Sequence, residues 1–397
     1  MFFPAAQYKE YSFFLGALFI LATGVTILQI AANPYAAILG KPINASSRLN
    51  LAQGINSIGT TLAPIAGGLL IYKVFSSGAV TVDSVKIPYI IYGGMFFVLA
   101  VILWKSKIPA FTSSEKIEKG AGAFRFRHLK LGMIAVFAYV GAEVAIGSYL
   151  INFMGDKNIL GIPESIGSIY LAYYWGGAMI GRLMGAISLS DMNNQAKKYT
   201  WMAIIAIIVF GLVYLVTAIR LDAGVFSMHF MALKQVAPFG LLIIINFIAF
   251  VFGKSLPERS LGIFSIFLIV LLLVAALTGG QLAFWAAIGT GLFNSIMWSN
   301  IFTLAINKLG KYTSQGSSLL VMMIVGGAII PLAMGAAADV IGIQLAFLVP
   351  IVNYLYLAFY GFSGYQVKMP RTQEPPFENQ ENTPPVERIN QKEKAVV

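Results

Sequence analysis

The chain has 397 residues, 58% of them hydrophobic and only 11% charged, with a formal net charge of +11, two histidines and no cysteine. A soluble globular domain carries about 25% charged residues, so this balance excludes one, and recurring apolar runs of about 18 residues or more define an all-α polytopic membrane protein. Disulfides and thiolate metal sites are excluded outright; with His128 and His229 both in predicted loops, neither a metal ion nor another cofactor is expected.

About eleven spans are predicted at roughly twenty apolar residues per crossing. They cover 11–39, 50–73, 88–104, 131–153, 165–188, 199–219, 236–252, 262–278, 281–308, 318–341 and 344–365. The opening MFFPAAQYKEY has no basic segment before its apolar one and lacks the pattern of a cleavable signal.

The first span contains ILQIAANPYAAILG (27–40). Gln29 and Asn33, at i and i+4, share a helix face, and Pro34 frees a backbone carbonyl close to it. The second span repeats the design with Gln53 and Asn56 at i and i+3, and Thr60 one turn on. Amides donate and accept, which suits a neutral polyhydroxylated ligand. Each could instead be interhelical glue worth about 0.6–2 kcal/mol, but four in consecutive spans favour a lined cavity.

After the third span, residues 105–130 form the longest basic loop and divide the chain into two unequal lobes. Residues 1–104 make a partial N-terminal lobe of three spans, and 131–366 a C-terminal lobe of eight. The fourth span carries Glu143 near its middle, in AYVGAEVAIGSYLINFM, with Tyr139 one turn earlier and Ser148 and Asn152 beyond. An intramembrane carboxylate is costly unless it faces a cavity or a partner, which makes Glu143 the candidate proton carrier; a structural carboxyl bonded to a neighbouring helix is the alternative.

The fifth span, with YLAYYWGGAMIGR, offers Tyr170, Tyr173, Tyr174 and Trp175 as less specific aromatics. It places Arg182 toward its cytoplasmic end, where it fixes lobe contacts or the helix terminus. In the ninth span, FNSIMWSNIF sets Asn294 and Trp298 at i and i+4. An indole can stack on a sugar ring, although Trp is also a common interfacial anchor. Asp339 reads as a boundary residue. A weak repeat aligns Gly59, Pro64 and Gly68 with Gly326, Pro331 and Gly335, as in parallel-repeat transporters whose site lies between two lobes. The tail, 367–397, is polar and Pro-rich and is expected to be disordered and cytoplasmic.

Basic residues sit in short loops rather than on one face, which argues for a bilayer partner and against nucleic acid. One loop set holds Lys41, Arg48, Lys105, Lys107, Lys116, Lys119, Arg125, Arg127, Lys130, Lys197, Lys198, Lys254, Arg259, Lys308 and Lys311; the other holds Lys73, Lys86, Lys157, Arg220 and Lys234. The first set is expected inside, which puts the N-terminus outside and the C-terminus in the cytoplasm.

Five motifs in order, AANPYAAILG, RLNLAQGINSIG, YVGAEVAIGSYLINF, GLFNSIMWSNIFTLAI and GSSLLVMMIVGGAIIPLAMGAAAD, resemble the fucose/glucose/galactose permeases of the major facilitator superfamily over most of residues 1–365. The resemblance implies two six-helix lobes, alternating access and proton-coupled import of a sugar by a monomer in a bacterial inner membrane. Gln29, Asn33, Gln53, Asn56, Asn294 and Trp298 would then bind the sugar, Glu143 the proton, and Pro34 and Arg182 would serve conformation. Three departures accompany it. MFFPAA resembles the end of the family's third helix, so the first three helices, with an aspartate thought to act in proton coupling, have no counterpart here. Gln29 stands where fucose permeases carry glutamate and the glucose/galactose branch glutamine. Spans 199–219 and 236–252 look inserted.

Two rivals remain: one of another class, a non-transporting sensor, assembly partner or inert remnant, kept open by the missing helices, and one within transport, a proton-driven exporter of an amphiphile, disfavoured by the amides. No paired carboxylates or metal-ligand spacing within the spans suggest an enzyme.

Overall fold

The structure, a computed structural model, describes residues 2–68, 86–107, 122–222 and 225–367. The end of the second span, most of the basic loop and the tail from 368 lie outside the described residues, and so do the expectations attached to them.

Apolar sequence with few helix breakers folds as helix almost throughout. After the short α1 (Phe2–Tyr8) come α2 (Tyr11–Ile38), α3 (Ala45–Gly68) and α4 (Lys86–Lys105). Beyond the basic loop follow α5 (Arg127–Gly155), α6 (Glu164–Ser188), α7 (Gln195–Ala218), α8 (Leu233–Gly253) and α9 (Pro257–Leu277). The chain then continues through α10 (Gly280–Asn294), α11 (Met297–Ile306), α12 (Thr313–Met322), α13 (Gly326–Ile341), α14 (Ile343–Ala346) and α15 (Val349–Phe359). Among the described residues, eight helical segments are long and apolar enough to cross a bilayer. The other three predicted crossings are α3, α6 and the α10–α11 pair, which are helical but carry polar residues or a break.

Three details differ from the sequence expectations. A short antiparallel hairpin, β1 (Ile219–Asp222) with β2 (Val225–Met228), links α7 to α8, pairing Ile219 with Met228 and Asp222 with Val225. His128 is not in a loop: it opens α5, fully buried, with Nε2 2.8 Å from the Asn307 carbonyl oxygen. The predicted spans 281–308 and 318–341 are each interrupted, the first at Ser295–Ile296 and the second by a 3-10 turn over Met323–Val325.

The core runs along α5, which packs against α6, α11, α13 and α15. More than half of its apolar window is buried, against 6% for α2 and for α4, whose apolar side chains face outward. Close approach of α5 to α13 depends on glycine: a Cβ at Gly326 would run into the Phe137 carbonyl, and one at Gly141 into Ile330. Small residues that let backbones approach are how membrane helices gain packing without a hydrophobic drive.

Candidate functional site

The three N-terminal spans meet the rest of the bundle along α3, which packs on α6 and α11, and along α2, which packs on α12. A cavity of about 150 Å³ opens on this seam, lined by Gln29 of α2, Gln53 of α3, Tyr139, Val140 and Glu143 of α5, Arg182 of α6, Trp298 of α11 and Ile324. Trp298 lies in the first turn of the helix after the Ser295–Ile296 break, and Ile324 lies in the 3-10 turn between α12 and α13. Both interruptions therefore border the cavity, where irregular backbone is tolerated inside a membrane.

One ion pair dominates the site. Arg182 Nη2 donates to Glu143 Oε1 at 3.3 Å, with both side chains close to nine-tenths buried. Arg182 Nη1 donates to Ser57 Oγ of α3 at 2.6 Å, and Nε to the Ser295 carbonyl at 3.3 Å, at the break in the helix. Tyr139, one turn before Glu143 on α5, lines the same cavity. A buried pair is tolerable only with such extra bonds to its remaining donors and acceptors. Arg182 thus reaches past the helix-end placement expected from its position and meets the carboxylate in the cavity wall.

The remaining predicted residues are placed elsewhere. Asn33 is buried outside the cavity, its Nδ2 without a hydrogen-bond partner among the described residues; Pro34 sits within an unbroken α2. Asn56 and Thr60 are exposed. Asn294 is wholly buried, donating to Tyr174 Oη at 3.3 Å and accepting from Tyr354 Oη at 2.7 Å, while Tyr174 donates to the Glu143 carbonyl at 3.0 Å. It braces the core behind Glu143 rather than facing the cavity, which corrects its expected place beside the ligand.

The sequence reading missed Ser57 as a partner of the pair. Its signal was present: Ser57 follows Gln53 by four residues, so it shares a face with a predicted site residue.

Below the cavity the seam closes through neutral groups. Ser46 Oγ and Thr303 Oγ1 lie 2.6 Å apart, Asn50 Nδ2 donates to Asn300 Oδ1 at 3.4 Å, and Ser47 Oγ donates to the Ala186 carbonyl. Beyond them a second, larger cavity of about 870 Å³ is lined by the α2–α3, α6–α7, α8–α9 and α11–α12 connections. Buried Lys198 ties two of these together, donating to the carbonyls of Ser188 at 3.2 Å and Ser190 at 2.8 Å and to Ser255 Oγ at 3.0 Å.

Comparison with known proteins agrees with this architecture. No protein-family model matches the chain. It is 41% identical over 370 residues to the glucose/galactose transporter of Brucella abortus biovar 1 (strain 9-941), spanning 92% of this chain and 74% of that one. It is 27% identical over 380 residues to the L-fucose-proton symporter of Escherichia coli (strain K12), spanning 89% and 72%. A crystal structure of a Major Facilitator Superfamily transporter, FucP, in the outward conformation matches with a TM-score of 0.68 and 26% identity, over 91% of this chain and 78% of that one. The chain belongs to the glucose/galactose transporter family of the major facilitator superfamily, together with the related fucose-proton symporters.

Proposed function

We propose that this chain imports a hexose or deoxyhexose together with protons by alternating access. The observation that carries the reading is the convergence of Gln29, Gln53, Glu143, Arg182 and Trp298 on one cavity between the N-terminal spans and the rest. The activities named for its relatives, glucose/galactose transport and L-fucose–proton symport, set the substrate class.

In this reading the Gln29 and Gln53 amides exchange hydrogen bonds with sugar hydroxyls, each able to donate and accept. The Trp298 indole covers an apolar ring face. Glu143 carries the proton, and Arg182 supplies its counter-charge. Asn33, Asn56 and Asn294 leave the binding role, since none lines the cavity; Pro34 and Arg182 keep their conformational one.

The same reading treats residues 1–104 and 131–366 as the two transport lobes, 105–130 as their cytoplasmic connection and 367–397 as a cytoplasmic tail. Orientation is supported by clustering: Lys198, Lys254 and Lys308 all line the larger cavity, so the basic loops gather at one end of the bundle. Tyr356 and Tyr360 donate to the carbonyls of Leu131 and His128, which brings the end of α15 to that same basic end. We place this end in the cytoplasm of a bacterial inner membrane, with the chain acting as a monomer.

The test is sugar uptake into proteoliposomes with an imposed pH gradient. The gradient is expected to accelerate uptake, and Glu143→Gln to lower gradient-driven uptake by about tenfold or more while sparing sugar exchange at equal sugar on both sides. Uptake indifferent to both the gradient and the substitution would sink symport through Glu143.

A further inference from the structure

We propose that Ser57 is a positioning residue that couples the charge of Glu143 to the closure of the two lobes, acting through Arg182; this rests on the proton-coupled reading above. Glu143 and Arg182 belong to neighbouring helices of the same lobe, α5 and α6. An ion pair confined to one lobe cannot by itself report its charge state to the other. The link is the third group on the guanidinium: Ser57 of α3, fully buried, whose Oγ accepts from Arg182 Nη1 at 2.6 Å, shorter than the 3.3 Å bonds to Glu143 and Ser295. Ser57 is itself fixed, since its hydroxyl donates to the Gln53 carbonyl at 2.8 Å and its carbonyl accepts from Thr61 at 2.8 Å. It also lies one turn from Gln53, a wall of the cavity.

Protonating Glu143 removes the counter-charge of Arg182 while the guanidinium stays desolvated in the seam. An uncompensated buried charge is strongly unfavourable, and the closed seam is what keeps water from it. Because Arg182 is anchored on α3 through Ser57, the penalty falls on the α3–α6 contact and favours parting of the lobes at the basic end. The groups below, Ser46 with Thr303 and Asn50 with Asn300, are neutral and do not respond to protons themselves. The ionisable groups facing Glu143 are Tyr139 of its own helix, Arg182 and Tyr174 of α6, and Tyr354 of α15. Nearer the basic end lie His128, Asp191, Lys198 and Glu258.

The natural absence of cysteine makes the test direct. Ala37 is 4% exposed and lines the larger cavity, whereas Asn307, on the same cavity, is exposed. In the purified chain in nanodiscs, the maleimide labelling rate of Ala37→Cys is divided by that of Asn307→Cys at each pH to correct for reagent and buffer, and the ratios are compared between Ser57 variants carrying the same cysteine, which share the thiol's own pH dependence. With Ser57 intact the ratio is expected to rise about threefold or more from mildly alkaline to mildly acidic buffer. Ser57→Ala should flatten that rise. Ser57→Thr, which keeps a hydroxyl, should retain it, and the isosteric Ser57→Val should not; this pair decides the matter even if the alanine variant folds poorly. His128, Asp191, Lys198 and Glu258 are present in every variant, so their titration drops out of the comparison. A ratio that ignores pH with Ser57 intact, or an undiminished rise in Ser57→Val, overturns the proposal. The labelling requires no sugar, so a failure of hexose uptake by the unaltered chain is read separately and counts against the transport reading instead.

Discussion

Tyr354 of α15 donates its hydroxyl to Asn294 Oδ1 of α10 at 2.7 Å, in a core from which both side chains exclude solvent completely. The second side of the amide donates to Tyr174, which in turn donates to the backbone of Glu143. This chain of bonds fixes the helix that carries the carboxylate. Asn294→Ala would leave the buried Tyr354 hydroxyl without its acceptor and remove one of the two bonds of Tyr174, an expected loss of about 1–3 kcal/mol. The measurement is thermal unfolding in detergent alongside sugar affinity. The melting temperature should fall while the apparent affinity of the folded fraction changes little; the opposite pattern would return Asn294 to the ligand.

The Glu143–Arg182 pair predicts non-additivity. Removing one partner strands a buried charge, at about 3–5 kcal/mol, whereas replacing both by neutral groups of similar shape is close to neutral. Arg182→Met should therefore destabilise more than the double variant Glu143→Gln/Arg182→Met. The double variant is expected to recover the fold in denaturant titrations without recovering gradient-driven uptake. If the two singles simply add, the pair does not interact as the 3.3 Å contact implies.

How far the site was legible in sequence follows from helical geometry. Gln29, Gln53, Glu143 and Trp298 stand out because each is a polar or amphipathic group in an apolar run, and all four line the cavity. Asn294 misled because the i, i+4 rule assumes a continuous helix, and the helix is interrupted at Ser295–Ile296, between Asn294 and Trp298. Asn56 follows Gln53 by three residues, about 300° of rotation, which falls short of a full turn and leaves it on the exposed side. The partner of Glu143 was hidden for a different reason. A long arginine can carry its charge well away from its own Cα, so its position near a helix end did not fix its depth. Among the described residues the helical spans were largely legible, since runs of about twenty apolar residues have few alternatives in a bilayer.

The glycine repeat predicts opposite outcomes at its two copies. A Cβ at Gly326 meets the Phe137 carbonyl, which is backbone and cannot swing aside, whereas a Cβ at Gly59 meets nothing within 4 Å. Gly326→Ala is expected to lower stability by about 1–3 kcal/mol through displacement of α13 from α5. Gly59→Ala should stay within about 0.5 kcal/mol of the parent, helped by the better helix propensity of alanine. Melting temperatures of the two variants in the same detergent compare them directly, and a larger loss at Gly59 would contradict the packing described here.

The neutral closure below the cavity predicts a reversible lock. Ser46 and Thr303 place their hydroxyl oxygens 2.6 Å apart across the seam between α3 and α11. Sulfurs at the same positions, Ser46→Cys with Thr303→Cys, fall within disulfide reach, and no native thiol competes for them. Oxidation should hold the lobes together at this end and cut sugar uptake by about tenfold or more, because alternating access requires the seam to part. Reduction should restore uptake, and each single variant should be insensitive to oxidant. Efficient crosslinking with undiminished uptake would mean that the seam stays shut throughout the cycle and that sugar passes by another route. Loss of uptake that reduction cannot reverse would instead point to damage from the substitutions, which the reduced double variant measures on its own.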